Sequence, residues 1–448
     1  MRNNQNFTEG PIVAKLIRFA LPVLGALILQ AMYGAVDLMV VGRYAEAADV
    51  SAVSTGSQLM MGLTGIITGL SMGSTVLLGQ TIGAGKREDA GRVIGGAICL
   101  FSAVALGMSL VVTGLARPLC RLLQAPKEAF GQTVGYVTVC ALGMLFIAGY
   151  NVLASLFRGM GDSRTPFLAV GIACVINIVG DLTLVAGFRM GSVGAALATV
   201  LSQGCSVLIC LPIIKRRGLP FEFGRRHIGF HRDVIADTVR LGMPIALQDL
   251  LVSVSFLGIV SIVNGLGVIV SAGVGVAEKL CSFVLLIPSA FMQSLSAFVA
   301  QNAGAGRDDR SRKAMLGGML ISFSMGLVIG GFAFFRGDIL AGLFARDPEV
   351  IAAAAEYLKA YAIDTLLVSF FFCFNGYFNG IGETRFVMAQ GLISAFLVRL
   401  PFSYIMSRLE PVSLFRIGLA IPMSSVTQIV MCLLWFRHIH RKGNRTRA

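Results

Sequence analysis

Gln80-Thr81-Ile82-Gly83-Ala84-Gly85-Lys86 returns 221 residues further on as Gln301-Asn302-Ala303-Gly304-Ala305-Gly306-Arg307. A second stretch, Phe157-Arg158-Gly159-Met160-Gly161-Asp162-Ser163-Arg164, returns at the same distance as Phe378-Asn379-Gly380-Ile381-Gly382-Glu383-Thr384-Arg385, and Leu21-Pro22 returns as Met243-Pro244 at a distance of 222. Two loop motifs at one spacing mark an internal duplication.

Between these loops the chain is apolar. Of its 448 residues 56% are hydrophobic and only 13% charged, against about 25% charged in an ordinary soluble domain. Runs long enough to cross about 30 Å of hydrocarbon fall at 16–41, 50–81, 93–115, 130–157, 166–188, 192–214, 238–264, 268–300, 314–335, 350–378, 386–406 and 413–436. The expectation is an all-α polytopic membrane protein of twelve transmembrane helices, six in each repeat. An even number makes the repeats parallel, about an axis along the membrane normal. The expected organisation is a six-helix lobe at 1–214, a basic cytoplasmic linker at 215–237, and a second six-helix lobe with a basic tail at 238–448.

The net charge of +14 lies in short loops and the tail, a pattern that reads as membrane orientation rather than nucleic-acid binding. Loops on the side of the termini hold 25 of the 37 Lys and Arg and the opposite loops hold 9, so both termini are expected in the cytoplasm of a plasma or inner membrane. The run beginning near residue 16 is too long for a cleavable signal and should stay as the first span. The nine cysteines show no metal-type pairing and read as small core residues. No phosphate-binding loop ends in Gly-Lys-Ser/Thr. His227, His231, His438 and His440 fall in loops or the tail, away from any intramembrane acid. An enzyme is therefore not expected, nor is a cofactor. A duplicated chain with few large loops suits a secondary transporter, whose sites lie near the repeat interface and are exposed alternately.

Polar side chains inside the spans are few. Asp37 sits near the end of the first span among Val36, Leu38, Met39, Val40 and Val41, where a charge costs roughly 2.5 to 3.5 kcal/mol on insertion scales and tends to be functional. Arg43 is its competing surface partner. Asn177 and Asp181 are four apart on the fifth span, as are Thr199 and Gln203 on the sixth, so each pair shares a helix face. At 1.5 Å per residue Asp37 lies about 8 Å below the outer end, Asp181 and Thr199 about 10 Å, and Asn177 about 16 Å. The four can converge in the outer half of the first lobe. Two carboxylates with amide and hydroxyl oxygens in an apolar lobe suit proton uptake and release, and equally suit a hard cation such as Na+. No other metal is expected. Gln30, Met32 and Tyr33, one and two turns below Asp37, are candidates for substrate contact with an organic small molecule. The second lobe carries Asp249, Glu278, Lys279, Lys359, Asp364 and Arg399 inside its spans. Pairing of Lys359 with Asp364 or Glu278 is the expected structural role.

The paired loop motifs, Asp37-x-x-x-Val41-Gly42, Asn177-x-x-x-Asp181 and Gly194-Ala195-Ala196-Leu197-Ala198-Thr199 resemble the multidrug and toxic compound extrusion (MATE) family over nearly the whole chain. The resemblance is greatest to its branch like DNA-damage-inducible protein F. It implies a V-shaped pair of six-helix lobes that exports amphipathic, cationic organic compounds in exchange for H+ or Na+; a monomer in the bilayer is the expected state. It also implies that Asp37, Asn177, Asp181 and Thr199 form the first-lobe cation site with Asn151 nearby. The other main bacterial branch has an acid in the seventh span where this chain has Val252. A flippase for a lipid-linked or similar amphiphile is the alternative on the same fold. It calls for cationic residues on a cleft, for which Arg399 is the clear candidate.

Overall fold

The computed structural model describes residues 6–217, 219, 221 and 223–445. Among them eleven helices are long and apolar enough to cross a membrane, and a bent pair makes a twelfth. They are α1 (Ile12–Tyr44), α2 (Ala47–Gly83), α3 (Arg87–Gly114), α4 (Lys127–Leu142 and Met144–Gly159), α5 (Arg164–Gly187), α6 (Gly191–Ile213), α7 (Arg232–Asn264), α8 (Val268–Gly304), α9 (Asp308–Gly342), α10 (Pro348–Ile381), α11 (Thr384–Ser407) and α12 (Leu414–Arg441). This is the expected all-α polytopic fold, with helices that overrun the apolar windows by a turn at many ends. α12 runs on through His438 and His440, which the sequence reading places in a tail.

Hydrocarbon offers the backbone no hydrogen-bond partners, so each span closes its own i→i−4 ladder. Apolar side chains then face either neighbouring helices or outward. Leu110, Val328 and Leu397 are more than 70% exposed, as lipid-facing residues are. All nine cysteines are free and seven of them are buried, in keeping with small packing residues.

The chain divides into two compact units. The first holds the described residues up to Ala246 together with Ala300–Arg307, and the second holds Leu247–Val299 and the residues from Asp308 onward. The core of the first unit includes Val53, Ile67, Tyr136, Val137, Tyr150 and Ala195. That of the second includes Ile259, Val274, Tyr357, Leu358 and Ile417.

The duplicated glycines have physical explanations. Gly85 and Gly306 stand at φ 73° and 68°, and Gly161 and Gly382 at 81° and 92°, in the left-handed region that only glycine enters without strain. Each ends a span and turns the chain into the next. Gly83 and Gly304 are kept small by a reciprocal contact within the first unit. A Cβ on Gly83 would stand 1.9 Å from the Gln301 carbonyl oxygen, and one on Gly304 would stand 2.0 Å from that of Gln80. The C-terminal ends of α2 and α8 thus meet backbone to backbone through equivalent residues of the two repeats. Phe7 closes the same corner: its N–H meets Gln301 Oε1 at 3.3 Å, and its carbonyl accepts from Asn302 Nδ2 at 3.2 Å.

Two local distortions set the geometry of the site regions. α4 bends by 52° at its break, where a Cβ on Gly143 would lie 2.3 Å from Val200 of α6. α5 and α11 each contain a π-helical segment, at Leu182–Gly187 and Ile393–Arg399, the kind of local insertion that often marks functional positions.

Replacing Gly304 by Val should lower the thermal unfolding midpoint of the detergent-solubilised protein, since overpacking a close contact costs typically ~1–3 kcal/mol. Gly275→Ala, at a position with open space around it, should leave the midpoint unchanged or raise it.

Candidate functional site

In the first unit α1, α5 and α6 bring their polar residues to one place. Asp37 is 4% exposed, and Asn177 and Asp181 are fully buried. The Thr199 hydroxyl donates to Asp37 Oδ2 at 3.2 Å, and the Asp37 carboxyl also lies within interacting reach of Asp181 and Asn177. The helix periods cause this convergence. Asn177 and Asp181 stack by one turn on α5, and Asp181 is the last residue before the π-helical turns.

Five polar atoms of this cluster are buried without a hydrogen-bond partner: Asp37 Oδ1, both carboxylate oxygens of Asp181, and both side-chain amide atoms of Asn177. An unpartnered buried polar atom costs about 1–3 kcal/mol, and more when charged. Arg43 does not relieve this cost, because it is exposed and makes no ion pair with Asp37 among the described residues. An oxygen-rich, desolvated pair of carboxylates can be satisfied by a proton held between them or by a small hard cation.

A second polar group sits one turn below. Tyr33 is buried and hydrogen-bonds Ser202, Ser202 donates to the Thr199 carbonyl at 2.8 Å, and Gln203 Nε2 donates to the Tyr33 hydroxyl at 3.4 Å. Ser202 is absent from the sequence reading, although its place three residues beyond Thr199 puts it on the same face. Tyr136 and Cys140 of α4 lie within electrostatic reach of Asp37, and Tyr136 of Asp181 as well, a relation that spacing within one helix does not reveal.

The remaining candidates go elsewhere. Asn151 donates to the Ile147 carbonyl at 2.8 Å and accepts from Thr68 of α2 at 3.3 Å, so its amide is engaged at the α2 and α4 contact. Gln30 interacts with the Tyr150 hydroxyl. Met32 is about half exposed. In the second unit Lys359 and Lys279 are exposed, and the expected pairing of Lys359 with Asp364 or Glu278 does not form. Asp364 instead accepts from Ser425 of α12, and the cation near it is the buried Arg399. Asp249 is exposed on α7, and Glu278 is half-buried with Oε1 lacking a partner.

A family model described as MatE matches the chain twice, over residues 22–183 and 244–405. The chain belongs to the MatE family. Its members are transporters, and the double match falls on the two repeats. The chain is 28% identical to the "Probable multidrug resistance protein YpnP" of Bacillus subtilis (strain 168), over 97% of this chain and 96% of that one. It is 26% identical to the "Multidrug resistance protein PmpM" of Pseudomonas aeruginosa, over 87% of this chain and 83% of that one. In fold it matches a solved structure described as the outward-facing conformation of a multidrug resistance MATE family transporter. That match has a TM-score of 0.92 at 21% identity and covers 100% of this chain and 99% of that one. These likenesses are to multidrug resistance proteins and lend the flippase alternative no support.

Because the two carboxyl groups act on each other directly, Asp37→Asn and Asp181→Asn should be non-additive in thermal unfolding of the purified MatE protein, with a coupling of about 0.5–3 kcal/mol. Asp37→Asn and Arg92→Ala, at the opposite end of the first unit, should add.

Proposed function

We propose that this MatE protein is a secondary antiporter that expels amphipathic, cationic organic compounds in exchange for H+ or Na+, with the coupling ion bound by Asp37, Asp181, Asn177 and Thr199. The observation that carries this reading is the set of five buried, unpartnered polar atoms gathered around two carboxyl groups within one helical unit. A resting structural role would leave those atoms paired, as buried polar groups almost always are. An exchangeable cation satisfies them during part of a cycle only.

The chemistry follows from linkage. A cation at the cluster neutralises one or both carboxyl groups and draws the tips of α1, α5 and α6 together. When the cation leaves, the like charges separate and the surroundings of Tyr33, Met32 and Gln30 change with them. If the cation and the organic substrate favour different states of the protein, each lowers the other's affinity by the same factor, and a gradient of one drives export of the other. The family names of the curated relatives support a multidrug substrate class. The cluster's composition supports membership in the branch like DNA-damage-inducible protein F, and the distribution of Lys and Arg supports cytoplasmic termini. A monomer is sufficient, since the cluster is complete within one chain.

The deciding experiment is efflux of a fluorescent cationic dye from proteoliposomes with pH and Na+ gradients imposed separately. One gradient should accelerate efflux. Asp37→Asn and Asp181→Asn should reduce the rate to that without a gradient. Thr199→Val should weaken the apparent ion affinity by about tenfold, equivalent to ~1.4 kcal/mol. Unchanged gradient-driven efflux in Asp37→Asn would overturn the reading.

A further inference from the structure

The two matches to the family model, 22–183 and 244–405, stand 222 residues apart, as do Pro22 and Pro244. α5 and α11 begin in loops that are 221 apart. α11 carries its π-helical segment earlier, at Ile393–Arg399, than α5, at Leu182–Gly187, so the extra residue enters α11 first and the stretch between the two segments keeps a distance of 222. Leu197-Ala198 of α6 and Leu419-Ala420 of α12 keep the same distance. In this register the first-unit cluster Asp37, Asn177, Asp181 and Thr199 corresponds to Ile259, Arg399, Ser403 and Ile421. Tyr33 and Ser202 correspond to Ser255 and Ser424.

The structure gives this correspondence physical content. Arg399 is 5% exposed, and its two hydrogen bonds go to the two residues just named. Nη1 donates to Ser255 Oγ at 3.2 Å and Nη2 donates to Ser424 Oγ at 3.4 Å. Its guanidinium carbon stands 4.4 Å from the ring centre of Phe256, an attractive cation–π distance. Ile259 is fully buried and Ile421 nearly so. Both carboxylates of the first-unit cluster are thus replaced by uncharged side chains, and its buried amide by a guanidinium. The charged and titratable groups that face Arg399 are Tyr357, Tyr361 and Asp364 on α10, with Glu278 and Cys281 of α8 beside the tyrosines. α7 and α12 present serines and Phe256. Arg399 Nε, Tyr357 Oη and Glu278 Oε1 are buried there without a hydrogen-bond partner.

We propose that Arg399 is a tethered cation: it fills, in the second repeat, the place that the first repeat leaves for an exchangeable ion. A guanidinium carries a fixed positive charge, and Asp364 supplies the opposite charge near it. The second unit therefore keeps its cation through the whole cycle, and only the Asp37 cluster exchanges one with water. Arg399 acts as a specificity-determining residue that limits ion exchange to one unit. This inference rests on the antiport reading for the role of the first unit.

The test counts cations bound by the purified protein in detergent, by equilibrium binding of radioactive Na+ and by difference proton titration against wild type. Arg399→Gln leaves Asp364 without its fixed counter-charge and should gain one further bound cation or proton. Arg399→Lys keeps the charge and should match wild type. The gain should persist in an Asp37→Asn/Asp181→Asn background, which places it in the second unit. In the first unit Asn177→Arg should supply a tethered cation, abolish cation uptake and make dye efflux indifferent to both gradients. Unchanged counts in Arg399→Gln would overturn the proposal, as would substrate-sensitive cation binding by Asp37→Asn/Asp181→Asn with Arg399 intact. If Arg399→Gln does not fold, an Asn177→Arg variant that retains wild-type uptake overturns it as well. If Asp37→Asn/Asp181→Asn binds as many cations as wild type because neither binds any, while Arg399→Gln gains one, the antiport reading fails and the role of Arg399 stands.

Discussion

Inside hydrocarbon a polar atom has no water to fall back on, and the architecture of this MatE protein follows from that constraint. The backbone meets it with twelve helical spans, so irregular backbone is limited to span ends and short interruptions, at Gly143, Leu285, Arg336 and Leu419 and in the π-helical turns of α5 and α11. Side chains meet it by being apolar or by pairing. Serines and threonines return their hydroxyls to their own helix, as Thr183 does to Val179 at 2.7 Å and Ser324 to Leu320 at 2.8 Å. Against that background Asp37, Asn177 and Asp181 gather five unpartnered buried atoms in one place, although each could have been an apolar side chain at lower cost.

Much of this was readable from residue order. Apolar run length determines where a helix can span, and the duplicated glycine loops mark the two halves, because a left-handed turn leaves little choice but glycine. The meeting of Asp37, Asn177, Asp181 and Thr199 was readable too, since rise per residue places them at similar depth and period places each pair on one face. What stayed hidden depends on rotation about helix axes. Tyr33 and Ser202 meet because α1 and α6 turn those faces toward each other, while Asn151 turns away to Thr68. Lys359 illustrates the same limit. Its sequence neighbourhood suggested an ion pair with Asp364, yet five residues along a helix is about 500° of turn, so the two project from different faces.

The duplication separates two kinds of constraint. At Gly83, Gly85, Gly304 and Gly306 the requirement is steric and belongs to the backbone, and both copies obey it. At the polar clusters the requirement is only that charge be balanced, and many residue sets satisfy that. One copy holds two acids and an amide. The other holds an arginine with an acid nearby. Equivalent positions thus diverge in chemistry while the frame that carries them stays superposable along the sequence.

This asymmetry bears on how a duplicated transporter can work with one ion. If both repeats offered the same acid pair, ion release would strip charge compensation from both units, and each would carry unpaired buried carboxylates at once. A guanidinium held by Ser255, Ser424 and Phe256 cannot leave. In the antiport we propose, the second unit keeps a constant internal charge while the first alternates, so the whole free-energy change of ion binding falls on α1, α5 and α6. A ligand shifts a conformational equilibrium only by its difference in affinity between states. Concentrating that difference in one unit, with the other electrostatically fixed, directs it into movement of the first unit's helices rather than dividing it between two.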